Sequence, residues 1–295
     1  MDDTLRTADG LALKLRHWPL DAPRGQVLLV HGLGEHAGRY GHVAAALNAA
    51  GWAVSAHDHR VHGQSAGARG ALAADDSLLQ DLACVIDAVR GAGPGPGPGP
   101  GPGPGPFVLL GHSMGGLVAA RFVAEALAAQ PARWSRAVDA LVLSSPALDA
   151  GLSGPQKLLL TVMGRLAPDR ALGNGLKPEW VSRDPAVVRA YLADPLVHDR
   201  VTPRLVRFIV DGGECVRERA PQWRVPTLLL YAGADRCVAP AGSRAFAAAA
   251  PPAVVTAQAF EPLYHEIFNE PEQAQVLARL TAWLDTLTAS RGDRP

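Results

Sequence analysis

The chain has 295 residues, and 28 Lys+Arg balance 28 Asp+Glu, so its formal net charge is zero. That excludes the surplus of cations a nucleic-acid binder needs to displace phosphate counterions, and also an acidic disordered tail. A hydrophobic share of 48% against 19% charged residues is enough apolar material for a large buried core, in one large α/β domain or two modest ones. The three cysteines, Cys84, Cys215 and Cys237, are odd in number and widely spaced, which suits a reducing compartment better than a disulfide framework. Met1-Asp2-Asp3-Thr4 lacks the basic-then-apolar order of a signal peptide, and no apolar run approaches the ~18 residues of a membrane span. The expectation is a cytoplasmic globular protein.

Leu11, Leu13 and Leu15 alternate in LALKLRHW, as in a half-buried strand near a sheet edge. Short continuous apolar runs follow at 26–30, 52–56, 107–110, 140–143 and 227–231. Such runs suit parallel strands covered on both faces. Helix-like stretches separate them at about 40–50, 75–90, 115–129 and 240–250, and a last one at about 271–288 aligns Val276, Leu280, Trp283, Leu284 and Leu287. Alternating strand and helix imply an α/β fold with a mostly parallel central sheet. The alternation fails over 146–225, where an apolar cluster around 158–163 and helices near 184–192 and 203–216 read as a helical cap, with ordinary scaffold helices as the alternative. The core is then 1–145 and 226–295. Residues 93–106 are seven Gly-Pro dipeptides, which can join neither a helix nor a ladder. They predict an exposed linker on the side of the sheet away from the chemistry, because binding sites lie at the carboxyl ends of strands.

Gly111, Ser113 and Gly115 spell Gly-x-Ser-x-Gly between an apolar run and a helix-like stretch. A serine on a sharp strand-to-helix turn is pushed out of the sheet, and only small neighbours fit beside it. The hydroxyl needs a base, and the base an orienting carboxylate, in the chain order Ser, acid, His. His198 and His265 are the histidines after Ser113. His198 falls in the cap, whereas His265 lies in a loop after the 254–260 run, so His265 is the expected base. Asp235 follows the 227–231 strand and is the expected acid, with Asp211 as its rival. The backbone N–H groups of Met114, after the nucleophile, and of Leu33, in the glycine-rich turn after 26–30, are the expected oxyanion donors. His57, His59 and His62 crowd one loop, but their order matches no established metal-ligand spacing. His265-Glu266-Ile267-Phe268-Asn269 lacks the fifth-position histidine of a zinc protease motif.

Assembled in this way, the chain resembles the monoacylglycerol lipase and lysophospholipase branch of the α/β-hydrolases, grouped with serine aminopeptidase-like hydrolases. The resemblance spans nearly the whole chain and is carried by HGLGEHAGRY (31–40), AHDHRVHGQS (56–65), GHSMGG (111–116), AGADR (232–236) and His265. It implies Ser113 as nucleophile, Asp235 as acid, His265 as base, Leu33 and Met114 as oxyanion donors, and a helical cap. The implied substrate is a small-molecule acyl ester, a single-acyl lipid, with no cofactor, no metal and no nucleic-acid partner, and with the cap as a point of transient membrane or micelle contact. An aminopeptidase or amidase with the same triad would need an acid for the substrate amine, such as Glu214 or Glu218 in the cap. A non-catalytic ligand binder is the third alternative. Two departures stand out. Val61 occupies a position where this branch usually has glycine, so a positive φ there would be strained. The Gly-Pro tract replaces a short connection.

Overall fold

A computed structural model describes residues 3–91 and 105–292. Its sheet strands are β1 (Thr4–Arg6), β2 (Ala12–Trp18), β3 (Gly25–Val30), β4 (Trp52–His57), β5 (Phe107–His112) and β6 (Ala140–Ser144), and then, after the two-residue β7 (Leu172–Gly173) and β8 (Arg200–Val201), β9 (Thr227–Ala232) and β10 (Val255–Phe260). The helices are α1 (Gly41–Ala49), α2 (Ser77–Val89), α3 (Met114–Glu125), α4 (Gly154–Leu166), α5 (Pro185–Ala193), α6 (Pro203–Arg219), α7 (Pro240–Ala249) and α8 (Gln273–Gly292). Among the described residues, eight strands form one sheet in the order β1-β2-β4-β3-β5-β6-β9-β10. The β1–β2 and β2–β4 pairs are antiparallel, and every pairing from β4 to β10 is parallel. The short β7 and β8 pair apart from this sheet.

The period of two along each strand divides the core in two. Leu28, Val30, Leu109, Leu141, Leu143 and Leu229 face α2, α3 and α6. Val27, Leu29, Val108, Leu110, Val142 and Leu228 face α1 and α8. Both faces are covered, which is why β3 through β6 carry almost no polar residue before their carboxyl ends. Among the described residues, no helix is long and apolar enough to cross a membrane.

The span 146–225 divides into two kinds of structure. α4 and α5 bury none of their residues. By contrast, α6 places Leu205, Phe208, Ile209 and Val216 in the same core as Leu117 and Phe122 of α3. This helix therefore belongs to the packing of the sheet as well as to the span read as cap. Its amphipathic stripe looks the same in sequence whichever neighbour it covers.

The Gly-Pro tract lies outside the described residues except for Gly105 and Pro106. Pro106 O accepts from the Gln26 N–H (2.9 Å) at the start of β3 and β5, the end of the sheet opposite Ser113.

Candidate active site

Ser113 stands between β5 and α3 with φ 54° and ψ −121°, a conformation that costs on the order of 1–3 kcal/mol and persists only where the surroundings impose it. The glycines around it make that possible. A Cβ on Gly115 would overlap the Val30 carbonyl oxygen, and one on Gly111 would overlap the carbonyl of Gly115. Ser113 N–H donates to Ser144 O (3.0 Å), and Ser113 O accepts from the Ala147 N–H (3.0 Å), pinning the turn to the end of β6 and the segment after it.

His265 sits in the loop after β10, and Asp235 in the loop after β9. Ser113 Oγ lies 2.8 Å from His265 Nε2, and His265 Nδ1 lies 2.7 Å from Asp235 Oδ2. Asp235 Oδ1 also accepts the backbone N–H groups of Cys237 (2.8 Å) and Val238 (3.1 Å), which fixes the carboxylate plane. With Nδ1–H donated to Asp235, Nε2 is free to accept the serine proton. Burial is the largest single influence and opposes a charge on His265, but the carboxylates of Asp235, Glu266 and Glu35 together outweigh it and raise the imidazole pKa. Met114 opens α3, so its N–H is among those a helix leaves without an intrahelical partner. Leu33 lies on the turn after β3, next to Gly32, whose Cβ position would be 3.1 Å from Ser113 Cβ.

The structure thus brings Ser113, His265 and Asp235 together, and the turns carrying Leu33 and Met114 meet at the same rim. Asp211 is elsewhere, exposed on α6 and 3.9 Å from Arg207. His198 lines the cavity above Ser113 but does not bond to it. Glu214 and Glu218 are exposed on α6 and are not among the residues lining that cavity.

The histidine-rich loop is scaffold for the neighbouring turn. Asp58 accepts from the N–H groups of Ala37 and Gln64 (2.8 Å each). His31 Nε2 accepts the His59 N–H (2.9 Å), so its Nδ1 carries the proton and donates to Gly32 O (2.8 Å). His57, His59 and His62 do not converge on a point. Among the described residues, the group whose ligand atoms do lie within 4.8 Å of one another is Asp235, Cys237 and His265. Two of those atoms already share a proton, and burial pushes the Cys237 thiol pKa up, keeping it protonated. Val61 does adopt a positive φ, 62°, while 4% exposed.

Sequence reasoning passed over a set of charges beside the triad. Arg39 donates to Glu35 Oε2 (2.7 Å) and, with both terminal nitrogens, to the two oxygens of Glu266 (2.7 Å each). The signal available was the four-residue spacing of Glu35 and Arg39 inside HGLGEHAGRY.

A cavity of about 200 Å³ lies over Ser113. Its walls include Leu33, Leu176, Val181, Leu192 and Val197 on the apolar side and Glu35, Glu266 and Asp194 on the polar side. Residues 21–272 match the family model described as serine aminopeptidase, S33. The chain belongs to that family. It is 38% identical to the monoacylglycerol lipase of Mycolicibacterium smegmatis, over 90% of each chain. It is 30% identical to the human monoglyceride lipase, covering 98% of this chain and 91% of the relative. The crystal structure of Paleococcus ferrophilus monoacylglycerol lipase superposes with a TM-score of 0.77 at 34% identity, covering 92% of this chain and 98% of that one. The family thus takes in relatives named for lipid esters under a description that names peptides.

Proposed function

We propose that the protein is a serine carboxylic-ester hydrolase acting on single-acyl lipids of the monoacylglycerol or lysophospholipid kind. The observation that carries this reading is the unbroken line from Ser113 Oγ to His265 Nε2 (2.8 Å) and from His265 Nδ1 to Asp235 Oδ2 (2.7 Å). Ser113 attacks the ester carbonyl as His265 takes its proton. Asp235 holds the imidazole tautomer and stabilises the imidazolium. The N–H groups of Leu33 and Met114 receive the oxyanion. His265 returns the proton to the leaving alcohol, and water, activated by the same base, releases the acid.

The substrate class is supported by the lipase relatives and by the shape of the cap, for which we take 146–225 with α6 as its root. A cavity of about 200 Å³ holds a glycerol-sized head and a short length of chain, since one water claims ~30 Å³ of liquid. A longer acyl chain extends beyond it. Leu158, Leu159, Val162 and Leu166 stand 43–78% exposed on α4, apolar surface suited to meeting a micelle or membrane. Against the amidase alternative, the two buried carboxylates of the cavity, Glu35 and Glu266, are both engaged by Arg39 and so are poorly placed to bind a substrate amine.

The test is turnover by the purified protein. Ser113→Ala should lower p-nitrophenyl ester hydrolysis by about three decades or more, the order seen for triad knockouts. Monoacylglycerols should be hydrolysed and proline p-nitroanilide should not. Retained activity in Ser113→Ala would eliminate the mechanism. Cleavage of the anilide alone would transfer the triad to amide chemistry.

A further inference from the structure

The glycines of 31–40 shape the turn beside Ser113, but the mechanism above gives no task to Glu35, Arg39 or Tyr40. Their contacts form one continuous chain. Glu35 Oε1 accepts the Gly32 N–H (2.6 Å) and the Tyr40 hydroxyl (2.6 Å), so it holds the turn that carries Leu33. Glu35 Oε2 accepts from Arg39 Nη1 (2.7 Å). Arg39 grips Glu266 through two parallel bonds (2.7 Å each), and Glu266 is covalently next to His265. The guanidinium also lies 4.9 Å from the ring centre of Tyr191 on α5. One half-buried side chain thus touches the turn after β3, the loop after β10 and the cap.

The geometry points to Arg39 as a positioning residue, on the serine-hydrolase reading above: it fixes the oxyanion turn and the histidine loop at one separation and ties both to the cap. A planar fork suits that task. Bidentate pairing with Glu266 sets direction as well as distance, and a third donation reaches Glu35 without a change of rotamer. The cap is fastened to the same turn independently. His198 N–H donates to Gly34 O (2.8 Å). His36 Nδ1 accepts the Gly38 N–H, leaving Nε2 to donate to Asp194 Oδ2 (2.8 Å).

Charge supplies a second readout. The groups facing His265 are Asp235 and Cys237 from the loop after β9, His112 from β5, Glu266 beside it, and Glu35 with Arg39 from the turn after β3. Glu35 and Glu266 both favour the imidazolium, and Arg39 is the cation paired with both carboxylates. Removing the cation should move the acidic limb of kcat/KM to higher pH. Lysine retains the charge but not the fork.

The experiment compares wild type, Arg39→Gln and Arg39→Lys on p-nitrophenyl butyrate from pH 5 to 9, with thermal unfolding scored for each. Arg39→Gln should lower kcat by about 10–100-fold with KM within about threefold, and raise the limb by at least about 0.5 pH unit. Arg39→Lys should return the limb to its wild-type position while kcat stays at least about fivefold low. If Arg39→Gln does not fold, Arg39→Lys decides alone through kcat. Wild-type kcat in either folded variant, or an unmoved limb in folded Arg39→Gln, would overturn the inference. Activity surviving in Ser113→Ala would instead remove the hydrolase reading beneath it; an inactive Ser113→Ala with wild-type Arg39 variants removes this inference alone.

Discussion

The buried histidines make acid stability the sharpest prediction away from catalysis. His57, His62 and His112 are at most 3% exposed. Burial lowers their pKa values from 6.5 to about 4, about 3 and about 3. Burial also takes His31 and His59 well below 6.5, helped by their imidazole neighbours. In the folded state all five are neutral at pH 5, whereas in the unfolded chain they are protonated. Stability is therefore full above about pH 7 and falls as the pH drops below 6.5, because the unfolded state then binds more protons. At pH 5 each group with a printed shift costs about 2 kcal/mol, or about 6 kcal/mol for the three, a large part of an ordinary domain's 5–15 kcal/mol. The raised pKa of His265 works in the opposite direction. Carboxylates such as Glu270, held low mainly by the Arg183 pair against the cost of burial, release their stability only below pH 4.5 and cannot imitate the effect at pH 5. Urea unfolding followed by circular dichroism at pH 8 and pH 5 measures the difference. His57 gives the cleanest variant, because neither ring nitrogen has a hydrogen-bond partner among the described residues. His57→Leu should shrink the pH 8 to pH 5 loss by about 2 kcal/mol. An unchanged loss in that variant, or stability level between pH 8 and pH 5 in the parent, would refute the neutral-histidine argument.

Two further outcomes follow from particular residues. At Val61, a left-handed backbone costs about 1–2 kcal/mol, while the buried side chain returns about 2 kcal/mol and glycine would add about 0.5–1 kcal/mol of unfolded-state entropy. Val61→Gly should thus lose about 1 kcal/mol in a urea midpoint analysis, and any gain in stability would mean strain dominates packing. Replacing Leu158 and Leu159 together by serine should leave short-ester turnover within about twofold and weaken sedimentation with anionic lipid vesicles by about tenfold, since ~25 cal/mol per Å² of apolar surface is lost from the contact. Equal vesicle binding by the double variant would move the contact surface off α4.

Much of the architecture is written in local pattern. Each run covered on both faces reads as a parallel strand because it is short, continuous and apolar and alternates with helix-like stretches, and β3, β4, β5, β6 and β9 fall where those runs lie. β1 leaves no such trace: Thr4–Arg6 is three residues of edge with one half-buried leucine. The stripe on α6 was legible, but its partner was not, because amphipathicity records that a face is covered and not which element covers it.

The candidate site follows the same division. Ser113, Asp235 and His265 could be chosen from text because each hangs on a strand end, and strand ends in a parallel sheet share one rim. The Arg39 bridge could not, since its two carboxylates lie four residues away on one side and 227 on the other. Only the short partner leaves a spacing signal, and on its own that spacing looks like an ordinary surface pair worth a few tenths of a kcal/mol. What changes its meaning is burial. At 11% and 4% side-chain exposure, the Arg39–Glu35 pair has given up most of its water. A pair so placed must find further partners or lose stability. Glu266 is the partner that satisfies this demand, and its place in the chain, directly after the candidate base, turns an electrostatic necessity into a constraint on where the imidazole can stand.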